Sequence, residues 1–476
     1  MAAVFLFHRD LRLEDNTALL AAIKEHASVV PLFIFPEDQI NPKRNKYFSH
    51  HAVRFMCECL HSLEEQLTAL GSKLLMIRGD DTVSVLSDLF SKYPFKHLYY
   101  NKDFGVYAQE RDARIGKWGD KNGISIHAYE DYGLVRHDEG LLPDGRPYKV
   151  LAQYYARYQK DLRVRMVDTL RLQNGHFLKN AKFPKGIKGV VTQHDLSLLY
   201  DVPRSSQFKG GRAEGVNILR HLSLRKNYVT ERDYPAMEGT TRASPHLRFG
   251  TISIREMYWT LNKHFGKDHP LIRELVFRDF YYKIYNMHPE LQRGTAYRSE
   301  MDKKISWKDP MVSKQEWLAW TTGTTGFPLV DAGMRQLITE GWMHNRVRML
   351  VASFATRYLY LDWRACARYF YSRLVDADPV SNTAGWQWAA GIGVDSAPYF
   401  RAPFNPYLQS KRFDKDAAYI KRWVPELHDV APAHIHRWGE PKIRGLYPNT
   451  SYPSPMLDQK TTSKESQKMW MEAAHK

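Results

Sequence analysis

Three stretches in the C-terminal half of this 476-residue chain put charged and amide groups where a plain helical core would carry apolar ones. In Glu274, Phe277 and Arg278 the spacing i, i+3, i+4 sets a carboxylate, a ring and a guanidinium on one helix face. Phe280 and Tyr281 make the surroundings apolar, so the charges are expected to meet a ligand, or each other, in a pocket. In Trp342-Met343-His344-Asn345-Arg346-Val347-Arg348-Met349, a stripe carries Trp342, Asn345 and Met349 with Arg348 beside it. An amide next to a thioether suits a planar, partly polar ligand. In the third stretch, Asp376 to Trp388, two carboxylates precede Pro379 and a Ser/Asn/Thr run, as at a helix cap. Capping leaves Gly385, Trp386 and Trp388 unexplained, whereas a pocket of carboxylate, amide and indole accounts for them. Upstream, Glu238 to Pro245 combines hydroxyls and main-chain donors in a turn that enters a helix, a candidate pyrophosphate cradle.

The elements that must hold these groups fall into two textures. Residues 1–135 alternate short apolar runs (Val4 to Phe7, Val29 to Phe35, Lys73 to Arg78, His97 to Asn101, Ser125 to Tyr129) with stretches of helical period (Ala18 to Lys24, Ala52 to Leu70, Val83 to Phe90, Glu110 to Trp118). That alternation predicts an α/β domain with a parallel sheet, Rossmann-like in layering but without GxGxxG. Residues 136–212 read as a long connector. Residues 213–455 read as an all-α domain, with helices expected over Gly215 to Arg225, Ile254 to His264, Pro270 to Tyr285, Gln315 to Thr321, Pro328 to Glu340, Asn345 to Tyr358, Arg364 to Leu374 and Asp414 to Val424. Residues 456–476 read as a polar tail.

Charge follows the same division. Up to residue 130 there are 16 Lys and Arg against 17 Asp and Glu; after it there are 53 against 35. The whole positive excess sits in the larger, C-terminal part, where it would collect a polyanion, nucleic acid first. Cys57, Cys59 and Cys366 have neither disulfide nor zinc spacing, so a reducing compartment and no metal are expected. No apolar run reaches the roughly 18 residues of a membrane span, and an intracellular, soluble chain acting as a monomer is expected.

Taken together, His8-Arg9-Asp10-Leu11-Arg12, Glu238 to Pro245, Trp342 to Met349, Asp362-Trp363-Arg364, Asp376 to Trp388 and Ala397-Pro398-Tyr399-Phe400-Arg401 resemble the photolyase/cryptochrome family, over the span from His8 to about residue 425. The resemblance implies an N-terminal α/β domain able to hold an antenna chromophore, a connector, and a helical domain that binds FAD. It carries the flavin-contacting positions onto Tyr228, Thr240, Thr241, Ser244, Arg278, Trp342, Asn345, Arg348, Asp376, Asp378 and Asn382, with Arg348 pairing Asp376 and Asn382 facing the flavin N5. Trp386, Trp363 and Trp307 match the family's electron-carrying tryptophans, with Trp317 as a substitute for the last.

Within the family, Trp342 to Arg346 resembles enzymes that repair cyclobutane pyrimidine dimers. The resemblance then implies damaged DNA as partner, Glu274 and Asn345 on the pyrimidine edges, and Phe277, Met349 and Trp388 as pocket walls for a flipped-out lesion. Arg232, Arg346 and Arg401 would grip phosphates. Phe277 stands where relatives often have tryptophan. Two other branches are weighed: (6-4) photoproduct repair, disfavoured because Asn345 and Met349 replace paired histidines, and a cryptochrome-type blue-light receptor, disfavoured by Asn382. Tyr107-Ala108 replaces the Asn-Glu pair of folate-binding relatives, so the antenna identity stays open and folate is unsupported.

Overall fold

The structure is a computed structural model that describes residues 3–203, 207–396, 398 and 401–475. Two compact units make up the chain: Met1–Leu224 with Thr241–Gln292 and Val375–Val380, and Arg225–Thr240 with Arg293–Leu374 and Ser381–Lys476.

The first unit is built on five parallel strands, β1 Ala3–Phe7, β2 Val29–Pro36, β3 Leu75–Gly79, β4 His97–Asn101 and β5 Ser125–Tyr129, in the order β3-β2-β1-β4-β5. Leu6 lies opposite Leu32 and Tyr100, and Leu32 opposite Leu75. The inner strands β1 and β2 are buried along their whole length, which is why they read as unbroken apolar runs, while edge strand β5 is half-exposed. Polar caps start the intervening helices: Asn16 accepts from the Leu19 N–H, Ser49 from Ala52, and Asp81 with Ser84 forms a capping box. The strand order reverses between β1 and β4, so His8-Arg9-Asp10 and Asn101-Lys102-Asp103 leave the sheet side by side. There Asp10 accepts from the Asn101 amide at 2.6 Å, and burial lifts its carboxyl to about 6.

The division expected at residue 212 is not the one the compact units follow, because residues 241–292 pack with the sheet-bearing unit. Buried charge accounts for it. Arg255 bonds Asp15 at 2.8 Å and Asp131 at 2.7 Å, while Arg12 pairs Asp131 and donates to the Gly250 carbonyl. Burial pushes the Asp131 carboxyl up, but Arg12 and Arg255 outweigh it and hold the group far below the usual range. The connector is itself structured. It contains the helix Leu151–Asp161, whose Tyr154 donates to Asp279 at 2.9 Å, and it bridges Phe177 to Val29 and Val190 to Ile77. Its buried face is Leu151 with Tyr154 and Tyr158, and a search for aliphatic periodicity passes over the tyrosines.

The second unit is helical: Lys314–Thr322, Pro328–Glu340, Asn345–Arg357, Trp363–Tyr371, most of Pro379–Ala390, Pro406–Phe413, Ala418–Trp423 and Gln459–His475. The segment from 456 onward is therefore no polar tail. Ser463, Ser466, Trp470 and Ala473 form one buried stripe along its helix, and Trp470 Nε1 donates to the Ala390 carbonyl at 2.6 Å. A stripe that narrow disappears in the segment's polar average. The three cysteines are buried and free, and no described helix is long and apolar enough to cross a membrane.

Candidate functional site

In the first unit the helix Pro270–Met287 presents Glu274, Phe277 and Arg278, all half-buried. The Phe277 ring sits 4.8 Å from Tyr281 and 6.3 Å from Phe280, which gives the apolar wall. Arg278 donates to the Tyr132 carbonyl at 2.8 Å, and its guanidinium lies 3.8 Å over the Tyr132 ring and 4.8 Å over Tyr282. Ser244, at the start of the helix Ser244–Phe249, donates to Asp376 at 2.7 Å, so two predicted residues far apart in the chain meet. The turn before it is strained: Arg242 has φ 51°, a left-handed backbone that side chains disfavour.

Asp378 is tied into the fold. It accepts from Arg9 at 2.5 Å, from Tyr132 at 3.0 Å and from Tyr282, and burial followed by this carboxylate raises the Tyr282 hydroxyl well above its ordinary value. Arg9, part of the first motif, also pairs Asp103 at 2.9 Å. The knot Arg9–Asp103–Asp378–Tyr132–Tyr282 thus links the carboxyl ends of β1 and β4 to the segment 375–380. A basic residue leaving a strand at the topological switch point was its only sequence signal.

In the second unit, Asn382, Gly385 and Trp386 stand at i, i+3, i+4 on the helix Pro379–Ala390. The Asn382 amide donates to the Ala367 carbonyl at 2.9 Å, which settles its orientation, since an amide oxygen there would be repelled. Gly385 is exposed, and a Cβ added to it would meet nothing within 4 Å. Glycine costs a helix interior about 1 kcal/mol relative to alanine, and no packing among the described residues requires it here. Sequence reasoning named this glycine but did not place it in the site, because the Asp376 to Trp388 stretch lacks an apolar stripe and was not read as helix.

The helix Asn345–Arg357 starts at exposed Asn345, whose amide lies 3.9 Å from the Met349 sulfur. Trp342 is buried just before it, with the Arg348 guanidinium 5.8 Å from its ring, and Arg348 Nε donates to the Met343 carbonyl at 2.7 Å. His344 is buried and caps this helix by accepting the Arg346 N–H at 3.2 Å. Arg346 pairs with Asp233 at 2.6 Å and lies 4.5 Å over Phe413, so its charge is already matched. Arg232 lies 5.3 Å over the Tyr228 ring, Trp388 stacks on Phe404 at 6.4 Å, and Arg401 is exposed. Thr240 and Thr241 are half-buried. Ala397, Tyr399 and Phe400 lie outside the described residues.

The tryptophans divide into two sets. Trp386 contacts Trp320 at 6.0 Å, and Trp320 contacts Trp317 at 5.6 Å. Trp363 and Trp307 instead both donate to Asp302, at 3.1 and 2.9 Å. In the described residues no group of His, Cys, Asp and Glu side chains is arranged to hold a metal ion.

Comparison with known proteins adds the following. A family model described as the FAD binding domain of DNA photolyase matches residues 271–472, and one described as DNA photolyase matches residues 3–172. The chain is 33% identical to the deoxyribodipyrimidine photo-lyase of Alkalihalophilus pseudofirmus, covering 90% of this chain and 88% of that protein. Among solved structures it resembles the photolyase of Sulfolobus tokodaii with two FAD molecules, at 35% identity and TM-score 0.84 over 99% of this chain and 100% of that one. A cryptochrome of Synechocystis superposes with TM-score 0.86 over 98% and 99% of the two chains, but at 24% identity that likeness concerns the fold alone.

Proposed function

The chain belongs to the DNA photolyase family, and from that premise we propose that it is a light-dependent lyase that splits cyclobutane pyrimidine dimers in damaged DNA with FAD as its cofactor. The observation that carries the reading is the face of the helix Pro379–Ala390, where a clamped Asn382 amide and the open backbone at Gly385 fit a planar, hydrogen-bonding ligand.

The remaining donors fit the same cofactor. Thr240, Thr241 and the Ser244–Asp376 pair supply hydroxyls suited to a pyrophosphate, and Trp342 and Tyr228 supply aromatic walls. Arg348 is assigned to the flavin ring, and Arg278 and Asp378 to its polar edge. When bound, FAD would supply the light-driven one-electron chemistry, which is the cofactor's own. The protein positions and shields. Asn382 presents the part of its amide not used on Ala367. Glu274 and Asn345 bond the carbonyl and imide edges of the dimer, and Phe277, Met349 and Trp388 exclude water from its rings.

Against (6-4) repair stands His344, whose Nδ1 caps a helix, while Asn345 and Met349 occupy the positions where that chemistry needs histidines. The test is direct. Purified protein should show flavin absorption, and after reduction it should restore DNA carrying a defined cyclobutane dimer in light and not in darkness. A protein that takes up no FAD would sink the reading, and flavin binding without repair of either lesion would turn it toward a photoreceptor.

A further inference from the structure

Asp302 lies on the short helix Ser299–Lys304 and is 6% exposed. Its Oδ1 accepts both the Trp307 indole N–H at 2.9 Å and the Trp363 indole N–H at 3.1 Å, and its Oδ2 pairs with Arg364. A shared acceptor keeps the two indole nitrogens within about 6 Å of each other. Packing alone does not ask for this. Buried indoles elsewhere in the same unit are satisfied by carbonyls, as Trp438 is by Pro453 at 3.0 Å.

We propose that Asp302 is a positioning residue of the tryptophan relay, which brings positive charge to rest on Trp307. The proposal rests on the FAD reading above. In the step, one electron passes from Trp386 to the light-excited oxidised flavin, Trp363 refills Trp386, and Trp307 refills Trp363. The flavin is reduced by one electron and Trp307 is oxidised by one, with its indole proton shared toward Asp302. A soluble thiol then supplies the electron that restores Trp307.

The gradient comes from neighbouring charges. At Trp363 the carboxylate is opposed by the Arg364 guanidinium, 4.8 Å over the ring. At Trp307 the same carboxylate acts at closer range, and among the described residues no cation lies over that ring. Beyond it, Trp470 is 5.7 Å away, but the Arg357 guanidinium stands 5.0 Å over its ring, and that cation–π contact makes the ring harder to oxidise. A rival branch begins at Trp320, 6.0 Å from Trp386, but its Nε1 is buried without a hydrogen-bond partner among the described residues, so its indole proton has no acceptor there. An ionised acceptor strengthens a hydrogen bond roughly twofold over a neutral one, which makes the carboxylate decisive.

Asp302→Asn tests this, since an amide oxygen still faces both indoles and Arg364 keeps Asp362 at 3.2 Å and the Gly294 carbonyl at 2.7 Å. In flavin-free protein with 15N-labelled tryptophan, the indole N–H signals lost in Trp307→Phe and Trp363→Phe should move upfield in Asp302→Asn while the others stay in place. In the flavin-loaded variant, flash photolysis should show back-transfer from the tryptophan radical about tenfold faster than in the unaltered protein. FAD content and repair by pre-reduced protein should be unchanged. Unmoved indole signals, an unchanged radical lifetime, or a radical removed by Trp317→Phe and not by Trp307→Phe would overturn the proposal. If the unaltered protein bound no flavin, the family reading would fall and the relay with it; flavin binding with unchanged kinetics would overturn the relay alone.

Discussion

At single residues, the types of the polar groups were legible from the sequence and their partners were not. Glu274 stands out as a carboxylate among aromatic rings and Asn382 through the family resemblance, and the structure keeps both at a half-buried surface. That Asn382 is turned by the Ala367 carbonyl, or Arg346 matched by Asp233, depends on residues remote in the chain. Glu274→Ala should bind FAD normally and lower the dimers repaired per absorbed photon about tenfold, because a charged hydrogen bond to the lesion is lost; an unchanged yield would remove Glu274 from the mechanism. His246 carries a pH prediction. Burial lowers it to about 4, and its Nδ1 lies 2.8 Å from the Thr251 hydroxyl. The unfolded chain, with an ordinary value near 6.5, then binds more protons between pH 6.5 and 4. His246 therefore contributes stability that is full above pH 6.5 and lost as pH falls toward 4, about 2 kcal/mol of it by pH 5. His246→Gln should remove that slope, read as the difference in urea midpoints between pH 7 and pH 5, against the opposite slope of the raised Asp10 carboxyl.

Among the elements, strands and capped helices were readable because period and cap chemistry are local. All five strands appear where apolar runs predict them, and the helix Pro328–Glu340 has the expected ends. The helices that escaped notice lack a long aliphatic stripe: Leu151–Asp161 buries Leu151 and two tyrosines, Pro379–Ala390 mixes Ser, Asn, Thr, Gly and Gln with its apolar residues, and Gln459–His475 rests on a single large residue. That residue should matter. Trp470 is fully buried, bonded to Ala390 and packed on Trp307 and Tyr360, so Trp470→Ala should cost about 3–5 kcal/mol in urea unfolding. A loss within error would mean that this helix is not part of the cooperative unit.

For the whole molecule, the charge excess beyond residue 130 is the quantity that predicts behaviour on DNA. Binding to dimer-containing DNA should weaken with salt, each gripped phosphate adding about −0.9 to the slope of log K against log salt. Arg346→Ala should lower that slope by less than one, because Asp233 already matches that charge; a full unit would show the ion pair opening on DNA. The sequence by itself determined the parallel sheet, the helical remainder, the basic excess and the residue types of the pocket, because period, composition and motif spacing are carried along the chain. Only the tertiary structure decided that residues 241–292 join the sheet-bearing unit, that Asp378 is knotted to Arg9, and that one oxygen of Asp302 serves two indoles. Each of these depends on how distant side chains divide a limited number of buried donors and acceptors, and no local pattern encodes that division.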